Sequence, residues 1–364
     1  WFQLGCFSPI NRLHSSNSGF TSKEPWRYSR DARATMEAHL RLRHRLVPYL
    51  YTWARRSVSE GIGPVRPVYH DHPQEMAAYE HRRTFCFGDL LVVPFTSPLD
   101  EATGLGQETT WLPDGVWYDL PTGRRYEATT GGHGRMLSLS RPLDRIGVLA
   151  RAGAVIPLAG SLTEAAGDNP RELEIVVVPG GAGGFILEED DGSAEPGPDR
   201  IARTRMRFTW PQTEGKDGGN AVLRIRLEGA ADVVPASRLV TVRLLAGRVA
   251  GALLGVGGQA RRLAVEEVDG DGFTLGAGTL VHLGELSRQE LADGVELVLR
   301  EVEQTPADWR GEVHAILDAA RVEYMAKDLA WAAVRRGLSG TALLGEMESL
   351  GLPETLRSAV AEVL

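Results

Sequence analysis

The stretch DRIGVLARAGAVIPL (residues 144–158) contains two short apolar runs, VLA and AVIPL, which are separated by Arg151 and Gly153. Short apolar runs divided by turn-forming residues are typical of β-strands. The same pattern recurs upstream in DLLVVPF, TTWLP, VWYDL and MLSLS. The chain from about residue 64 to residue 160 is therefore predicted to be an all-β unit.

Two local features refine this first β unit. Asp114-Gly115 in LPDGVWYDL is a turn dipeptide between strand-like residues, which predicts a β-hairpin. The aromatic residues nearby, Trp111, Trp117 and Tyr118, are interpreted as core residues in preference to a platform for a sugar.

A second β unit is predicted downstream, after a linker. Residues from about 159 to 171 are rich in Gly, Ala, Asn and Pro, which is typical of a linker. Strand-like runs follow to about residue 303, and LRIRL alternates apolar residues with arginine, as in a half-solvated antiparallel sheet. The acidic run from Glu188 to Gly192 lacks the ligand spacing of a calcium loop, so an acidic turn between strands is favoured.

The sections that flank the β units are predicted to be helical. TMEAHLRLRHRLVPYLYTWARR (residues 35–56) carries an apolar stripe on a 3.6-residue period, formed by Leu42, Leu46, Tyr49, Leu50 and Trp53. Pro48 lies inside this pattern and should kink the helix or loosen its hydrogen bonding. A helical tail is predicted to begin at Thr305-Pro306, with a stripe formed by Val313, Ile316, Leu317, Ala320 and Tyr324.

Composition excludes several classes of function. The net charge of −8 argues against general nucleic-acid binding, so the arginines of residues 41–56 are interpreted as a solvated or ion-paired helix face. No apolar run approaches the roughly 18 residues of a membrane span, so no membrane partner is expected. Cys6 and Cys86 are interpreted as buried free thiols, which favours a reducing compartment and predicts a cytoplasmic location.

No motif for a metal or an organic cofactor is evident. His70 and His72 in YHDH would share one face of a strand, but no third ligand accompanies them in the sequence. The chain has no glycine-rich phosphate loop, no CxxC pair and no HExxH motif. Neither a metal nor a cofactor is therefore expected.

A specific resemblance connects several segments of the first 158 residues. In chain order they are WFQLGCFSPINRLHS, KEPWRY, LRLRHRLVPYLYT, GIGPVRPV, FGDLLVVPF, WLPDGVWYDLPTG and DRIGVLARAGAVIPL. Together they resemble the C-terminal half of glycoside hydrolase family 31, the α-glucosidase and α-xylosidase family. GFILEEDDGS resembles the distal β domain of that family more loosely.

The resemblance implies a multidomain chain. Residues 1–63 would form the last strand and helices of a (β/α)8 catalytic barrel. Residues 64–160 would form a proximal β-sandwich domain and residues 161–304 a distal one, both mainly antiparallel, and residues 305–364 would form the helical tail.

The resemblance also implies a sugar-binding site. FSPINRLH would be the last barrel strand, with His14 at its C-terminal end, where the family counterpart hydrogen-bonds hydroxyls of the sugar that is cleaved. Arg12 would support that strand end or the pocket, and Leu13 stands where the family has asparagine.

The catalytic pair is expected elsewhere. Retaining glycosidases use two carboxylates about 5 Å apart. In this family both are aspartates on earlier barrel strands, upstream of residue 1, so residues 1–364 alone are expected to be inactive. The implied function is that of a C-terminal part of a retaining α-glycosidase; the alternative is a non-catalytic β-sandwich scaffold or carbohydrate-binding module. The sugar and the oligomeric state are left open.

Overall fold

The N-terminal section is helical in the computed structural model, which describes residues 1–129, 131–211 and 219–364. Its helices are α1 (Phe2–Cys6), α2 (Arg30–Arg45) and α3 (Val47–Ser59). The helix predicted around Pro48 is broken at Leu46, and Pro48 lies in the first turn of α3. Because proline lacks the N–H that a helix interior requires, the chain restarts there as a second helix. The predicted kink is confirmed.

The apolar stripe of these helices is buried. Leu42, Leu46, Tyr49 and Trp53 are each at most 7% exposed. The Tyr49 ring stacks on Phe185 with the centroids 5.2 Å apart, and it contacts Phe87 at 6.0 Å. Phe87 and Phe185 belong to the two different β units, so the stripe contacts both.

Residues 7–14 were predicted to form the last strand of a barrel, and this barrel end is not confirmed in the described residues. No strand lies between α1 and Val65. A parallel strand needs a neighbour that takes its backbone hydrogen bonds. Here the Arg43 guanidinium on α2 donates instead to the carbonyl oxygens of this segment, which are those of Cys6, Ser8 and Pro9, at 3.1, 2.6 and 2.7 Å. The segment is therefore tethered to a helix and not paired in a sheet.

The first β unit is mostly antiparallel, as predicted. Its strands are β1 (Val65–Pro67), β2 (Phe85–Phe87), β3 (Leu90–Val93), β4 (Gly106–Leu112), β5 (Val116–Asp119), β6 (Arg125–Glu127), β7 (Arg135–Arg141) and β8 (Gly147–Arg151), with the short helices α4 (Val68–Asp71) and α5 (Met76–Glu80). A six-stranded sheet has the order β1-β2-β3-β8-β5-β6, and β4 pairs with β7. Trp111 and Leu139 of the pair share a buried cluster with Leu91 and Trp117 of the sheet. The prediction that these tryptophans are core residues is confirmed.

The hairpin predicted at Asp114-Gly115 is wrong. The turn exists, and Gly115 has φ +132°. However, β4 pairs with β7, whereas β5 pairs with β6 and β8. The dipeptide turns the chain from one sheet into the other, because a local turn signal does not determine which strands pair.

The second β unit begins with β9. Its strands are β9 (Val155–Ala159), β10 (Glu172–Val177), β11 (Gly183–Asp190), β12 (Ile201–Thr209), β13 (Ala221–Gly229), β14 (Ser237–Leu245), β15 (Gly247–Arg248), β16 (Gly251–Val256), β17 (Gln259–Leu263), β18 (Val265–Val268), β19 (Gly278–Ser287), β20 (Val295–Arg300) and β21 (Glu303–Gln304), with helix α6 (Arg288–Asp293) before β20. One sheet has the order β18-β19-β14-β10-β9 and the other β11-β12-β13-β20-β16-β17. The β9–β10 pair spans the predicted linker, so the boundary predicted at residue 160 falls between two paired strands.

Two expectations about this unit have clear outcomes. On β13, Leu223 and Ile225 are buried while Arg224 and Arg226 are exposed, which confirms the alternation. The acidic run is mostly strand and not turn, because Glu188 and Asp190 lie in β11. Arg55 of α3 pairs with both carboxylates, at 3.1 and 3.2 Å, so the arginines of the helical section include ion-paired ones as predicted.

The C-terminal tail is helical, as predicted, but begins later. Its helices are α7 (Trp309–Ala319), α8 (Tyr324–Arg335), α9 (Gly340–Ser349) and α10 (Glu354–Val363), which share a buried cluster of their own. Helix α7 starts after Asp308, whose carboxylate accepts from the Gly311 N–H, and Pro306 lies outside it. Tyr324 is exposed and belongs to α8, so it is not part of the stripe of α7.

A buried ionic network joins the tail to the first β unit. The Glu362 carboxylate on α10 accepts from Arg141, Tyr126 and Arg124 at 2.5, 2.6 and 2.7 Å. The side chains of Glu362 and Arg141 are 1% and 3% exposed, and Arg141 also pairs with the buried Asp119. Burial alone would raise the pKa of Glu362, but the two arginines outweigh burial and lower that pKa below its ordinary value. The network stabilises the docked tail only while Glu362 is ionised.

We predict that Glu362→Ala destabilises the chain by roughly 3–5 kcal/mol, because it leaves buried N–H groups of Arg141 and Arg124 and the Tyr126 hydroxyl without their shared acceptor. Glu348→Ala is the matched control, since the Glu348 side chain is 69% exposed and, among the described residues, forms an ion pair with Arg357 alone. Its expected cost is at most about 1 kcal/mol. Urea unfolding measures both.

The same urea unfolding is also measured as a function of pH. A carboxyl group whose pKa is lower in the folded state stabilises the fold at pH values above its unfolded-state pKa, here 4.5. That stabilisation is lost as the pH falls through the lower folded-state pKa. The difference in unfolding free energy between the native chain and Glu362→Ala should therefore shrink in acid. Equal unfolding free energies for Glu362→Ala and Glu348→Ala near neutral pH would contradict the account.

A second prediction concerns residues 7–14. Because their amides are not part of a sheet ladder, they should exchange hydrogen much faster than those of β3, whose four residues are buried and paired on both sides. Hydrogen exchange followed by mass spectrometry compares the two segments. Equal protection of residues 7–14 and β3 would show that the N-terminal segment has a partner other than Arg43.

Candidate functional site

The predicted sugar-binding residues lie in a cleft of about 550 Å³ at the N-terminal end of the chain. This N-terminal cleft is formed by α1, the irregular segment after it and the start of α2. Its polar lining residues are Gln3, Asn11, Arg12, His14, Lys23 and Thr35, and its apolar ones include Trp1, Phe2, Ile10, Leu13, Tyr28, Met36 and Leu143. The structure therefore brings Arg12 and His14 into one cavity.

Helix α2 holds the wall of this cleft in place. Besides the three carbonyls bound by Arg43, the Cys6 thiol donates to the His39 carbonyl at 3.3 Å. Burial raises the pKa of Cys6 to about 12, so this thiol is a structural contact and not a nucleophile. Both contacts fix the chain at the end of α1 and just after it, and residues 10–14, which follow, line the cavity.

His14 is exposed at the mouth of the cleft. Its Nδ1 lies 3.1 Å from the Ser15 carbonyl oxygen, which can only accept, so this hydrogen bond places the proton on Nδ1. The neutral ring then offers Nε2 as an acceptor, and the protonated ring offers it as a donor. The chain after His14 folds back on itself, because the Ser15 hydroxyl bonds to that of Thr21 at 2.9 Å.

Arg12 is also exposed, and within the described residues its guanidinium has no hydrogen bond or ion pair. The strand end that Arg12 was expected to support does not exist in this segment. Its five N–H groups are available to a ligand. Whether Arg12 and His14 bind a sugar stays a prediction.

The chemistry of the cleft is that of binding. Its charged groups are Arg12 and Lys23, with the His14 imidazole beside them, and no aspartate or glutamate is found among its described lining residues. General acid–base catalysis of glycoside cleavage needs a carboxyl pair. This cavity can hold a hydroxylated ligand against its apolar wall, and its described lining residues include no such pair.

Several lining residues were missed by sequence reasoning. Lys23 and Tyr28 lie in KEPWRY, which was noted only for its resemblance. Leu143 comes from the first β unit, and the Gln3 side chain donates to its carbonyl at 3.2 Å. No local signal could have identified a contact across 140 residues.

The other candidates have clear outcomes. His70 lies in α4 and His72 just after it, so the strand expected there is wrong, because Pro67 ends β1 and a single helical turn follows. In the described residues no group of three or more His, Cys, Asp or Glu is arranged to hold a metal ion. Cys6 is buried and Cys86 half-buried, and both are free thiols. None of the described helices is both long and apolar enough to cross a membrane.

Comparison with known families assigns the first two sections of the chain. Residues 1–53 match the glycosyl hydrolases family 31 TIM-barrel domain, and residues 61–156 match the glycosyl hydrolase family 31 C-terminal domain. The two matches follow one another in the order in which the helical section and the first β unit occur. The resemblance noted in the sequence is confirmed.

The chain is also similar to individual curated proteins. The chain is 34% identical over 194 residues to an α-xylosidase of Saccharolobus solfataricus, covering 53% of this chain and 25% of that protein. It is 29% identical over 247 residues to lysosomal α-glucosidase of Mus musculus, covering 63% of this chain and 25% of the relative. The chain therefore spans about a quarter of the length of these curated relatives.

Solved structures extend the fold comparison. A family 31 dextranase of Flavobacterium johnsoniae, complexed with glucose, superposes with a TM-score of 0.65 at 18% identity, over 82% of this chain and 36% of its own; this likeness concerns the fold. A family 31 α-xylosidase of Xanthomonas citri superposes with a TM-score of 0.54 at 27% identity, over 67% of this chain and 25% of its own. Residues 1–53 and 61–156, in the helical section and the first β unit, are therefore similar to two successive domains of glycoside hydrolase family 31.

Proposed function

We propose that the chain is the C-terminal part of a retaining α-glycosidase that hydrolyses α-glucosides or related sugars. The observation that carries this proposal is the placing of Arg12 and His14 in one cavity within the section that matches the family's barrel domain. The names of two relatives, an α-xylosidase and an α-glucosidase, support a sugar substrate.

The proposal assigns the carboxylate pair to barrel strands outside residues 1–364. No carboxylate is among the described lining residues of the N-terminal cleft, and the curated relatives are about four times as long as the matched part. If residues 7–14 packed beside those strands, they would gain the strand neighbours that they lack within residues 1–364. In this proposal the finer architecture is a barrel end followed by two β-sandwich domains.

Within the complete site, the proposed role of His14 and Arg12 is to bind the sugar that is cleaved. The Arg12 guanidinium donates to sugar hydroxyls, and the His14 Nε2 accepts from them or, in the protonated ring, donates to them. Such bonds strengthen as the sugar distorts toward the oxocarbenium-like transition state. They act on the reaction by binding its transition state more tightly than the substrate, and not by moving a proton to the glycosidic oxygen.

The second candidate is a non-catalytic β scaffold or carbohydrate-binding module. The observation that favours it is the extensive buried core, most of whose residues belong to the two β units. The two candidates differ in one respect: in a scaffold, His14 has no part in turnover.

The test uses a chimera in which residues 1–364 replace the matching part of the Saccharolobus α-xylosidase. We predict hydrolysis of 4-nitrophenyl α-xyloside by the chimera. His14→Ala should lower its kcat/KM roughly 30-fold to 1,000-fold, equal to about 2–4 kcal/mol, as when one preorganised donor is deleted. Steady-state kinetics and thermal melting are measured together.

His133→Ala is the matched control, because His133 is a highly exposed histidine outside the cleft. Residues 1–364 alone are the second control and should show only background hydrolysis. Full kcat/KM in the His14→Ala chimera, or a loss no larger than its loss of folded protein, would favour the scaffold. Turnover on the order of 1 s⁻¹ by residues 1–364 alone would contradict the placing of the carboxylate pair.

A further inference from the structure

A second cleft, of about 450 Å³, lies where the two β units meet. This junction cleft is lined by the turn between β2 and β3, the end of β8 and the start of β11, and it shares no lining residue with the N-terminal cleft. Its volume is within the range of small-molecule sites, roughly 300–1,000 Å³.

The β2–β3 turn holds a carboxylate at this cleft. Gly88 has φ +59°, and a Cβ there would lie 2.3 Å from the Tyr49 hydroxyl, so only glycine fits. The Tyr49 hydroxyl accepts from the Asp89 N–H at 2.6 Å and donates to the Phe87 carbonyl at 3.2 Å. Arg66 donates to the Gly88 carbonyl at 3.2 Å. The backbone of the turn is therefore fixed from two sides.

The Asp89 side chain is not used by these contacts. Among the described residues, its carboxylate has no hydrogen bond and no ion pair, and the residue remains exposed to solvent. The surrounding protein atoms raise the pKa of Asp89 by desolvation, Arg56 and Arg66 oppose this, and Asp71 adds to it. Within the described residues, the carboxylate oxygens are therefore available to accept hydrogen bonds from a ligand.

The remaining charges of the cleft balance. Arg66 binds Asp71 through two N–H groups at 3.2 and 2.7 Å. Arg151 is exposed, and its guanidinium donates to the Asp114 carbonyl at 3.0 Å with other N–H groups left over. Two arginines therefore face two aspartates, which gives no net attraction for an ion. Donors and acceptors side by side favour a neutral ligand that carries many hydroxyls.

The walls of the cleft are rigid and partly apolar. The Gly153 N–H donates to the Val178 carbonyl at 3.0 Å, and a Cβ on Gly153 would lie 2.6 Å from the backbone of Ala182. This close backbone approach fixes the end of β8 against the start of β11. Ala152 and Ala154, which are half-buried, and Ala182, which is exposed, supply a small apolar surface for the C–H face of a ring.

We propose that the junction cleft is a second sugar-binding site, in which Asp89 accepts from hydroxyls of a neutral mono- or disaccharide and Arg151 donates to its oxygens. The proposal rests on the proposed function only for the choice of sugars. It adds a binding site that is independent of His14 and of any catalytic carboxylates.

The test titrates residues 1–364 with D-glucose, D-xylose and maltose, followed by isothermal calorimetry and by amide chemical shifts. We expect saturable binding of at least one sugar with a Kd on the order of 1 mM. Asp89→Asn and Arg151→Gln should each weaken it about tenfold or more, because each removes hydrogen bonds to a charged group. The matched control is Asp168→Asn, an exposed aspartate in the predicted linker.

Each outcome of the titration either supports or overturns the second sugar-binding site. Binding that is lost in Asp89→Asn and Arg151→Gln but kept in His14→Ala and Asp168→Asn supports the second site, whatever the chimera shows. Binding that depends on His14 and not on Asp89 overturns it and leaves the proposed function standing. Absence of saturable binding by all three sugars, or binding unchanged in both cleft variants with native melting temperatures, overturns it as well.

Discussion

Helix α3 packs Tyr49 and Trp53 between the two β units, and the rest of the molecule depends on this contact. Tyr49 stacks on Phe185 of β11 and contacts Phe87 of β2. On the solvent side of the same interface, Arg55 pairs with Glu188 and Asp190. Aromatic burial supplies most of the attraction, while the ion pairs fix the orientation of the helix. Removing α3 would expose the facing surfaces of both β units.

The same helix connects the two clefts. Helix α2, which directly precedes α3, carries Arg43, and Arg43 holds the wall of the N-terminal cleft. Through the Tyr49 hydroxyl it fixes the Asp89 turn of the junction cleft. The section that matches the family's barrel domain is thus joined to the β units by one continuous core. In the proposed enzyme, this core would carry the barrel on a rigid β support.

The sequence predicted the parts of the fold that bury alternating or periodic apolar residues. The stripe of Leu42, Leu46 and Tyr49 and the alternation of β13 are such parts, because burial selects those positions. Strands β17 and β18 have no apolar pattern that would indicate them individually, because nearly all their residues are exposed. The pairing of β4 with β7 and the contact of Arg43 with the segment after α1 are long-range and leave no local signal. Sequence resemblance selected His14 and Arg12, but it placed them on a strand whose partners the described residues do not supply.

The substitution Tyr49→Phe tests the central claim most directly, because it removes one hydroxyl and keeps the aromatic ring. The account predicts that it leaves the Asp89 N–H and the Phe87 carbonyl without their partner, lowers the free energy of unfolding by roughly 1–3 kcal/mol, and speeds exchange of the Asp89 amide. Tyr324→Phe, at a residue that is 81% exposed, should change neither quantity. If Tyr49→Phe matched Tyr324→Phe in both unfolding and Asp89 exchange, helix α3 would not hold the turn, and the account of the junction would be wrong.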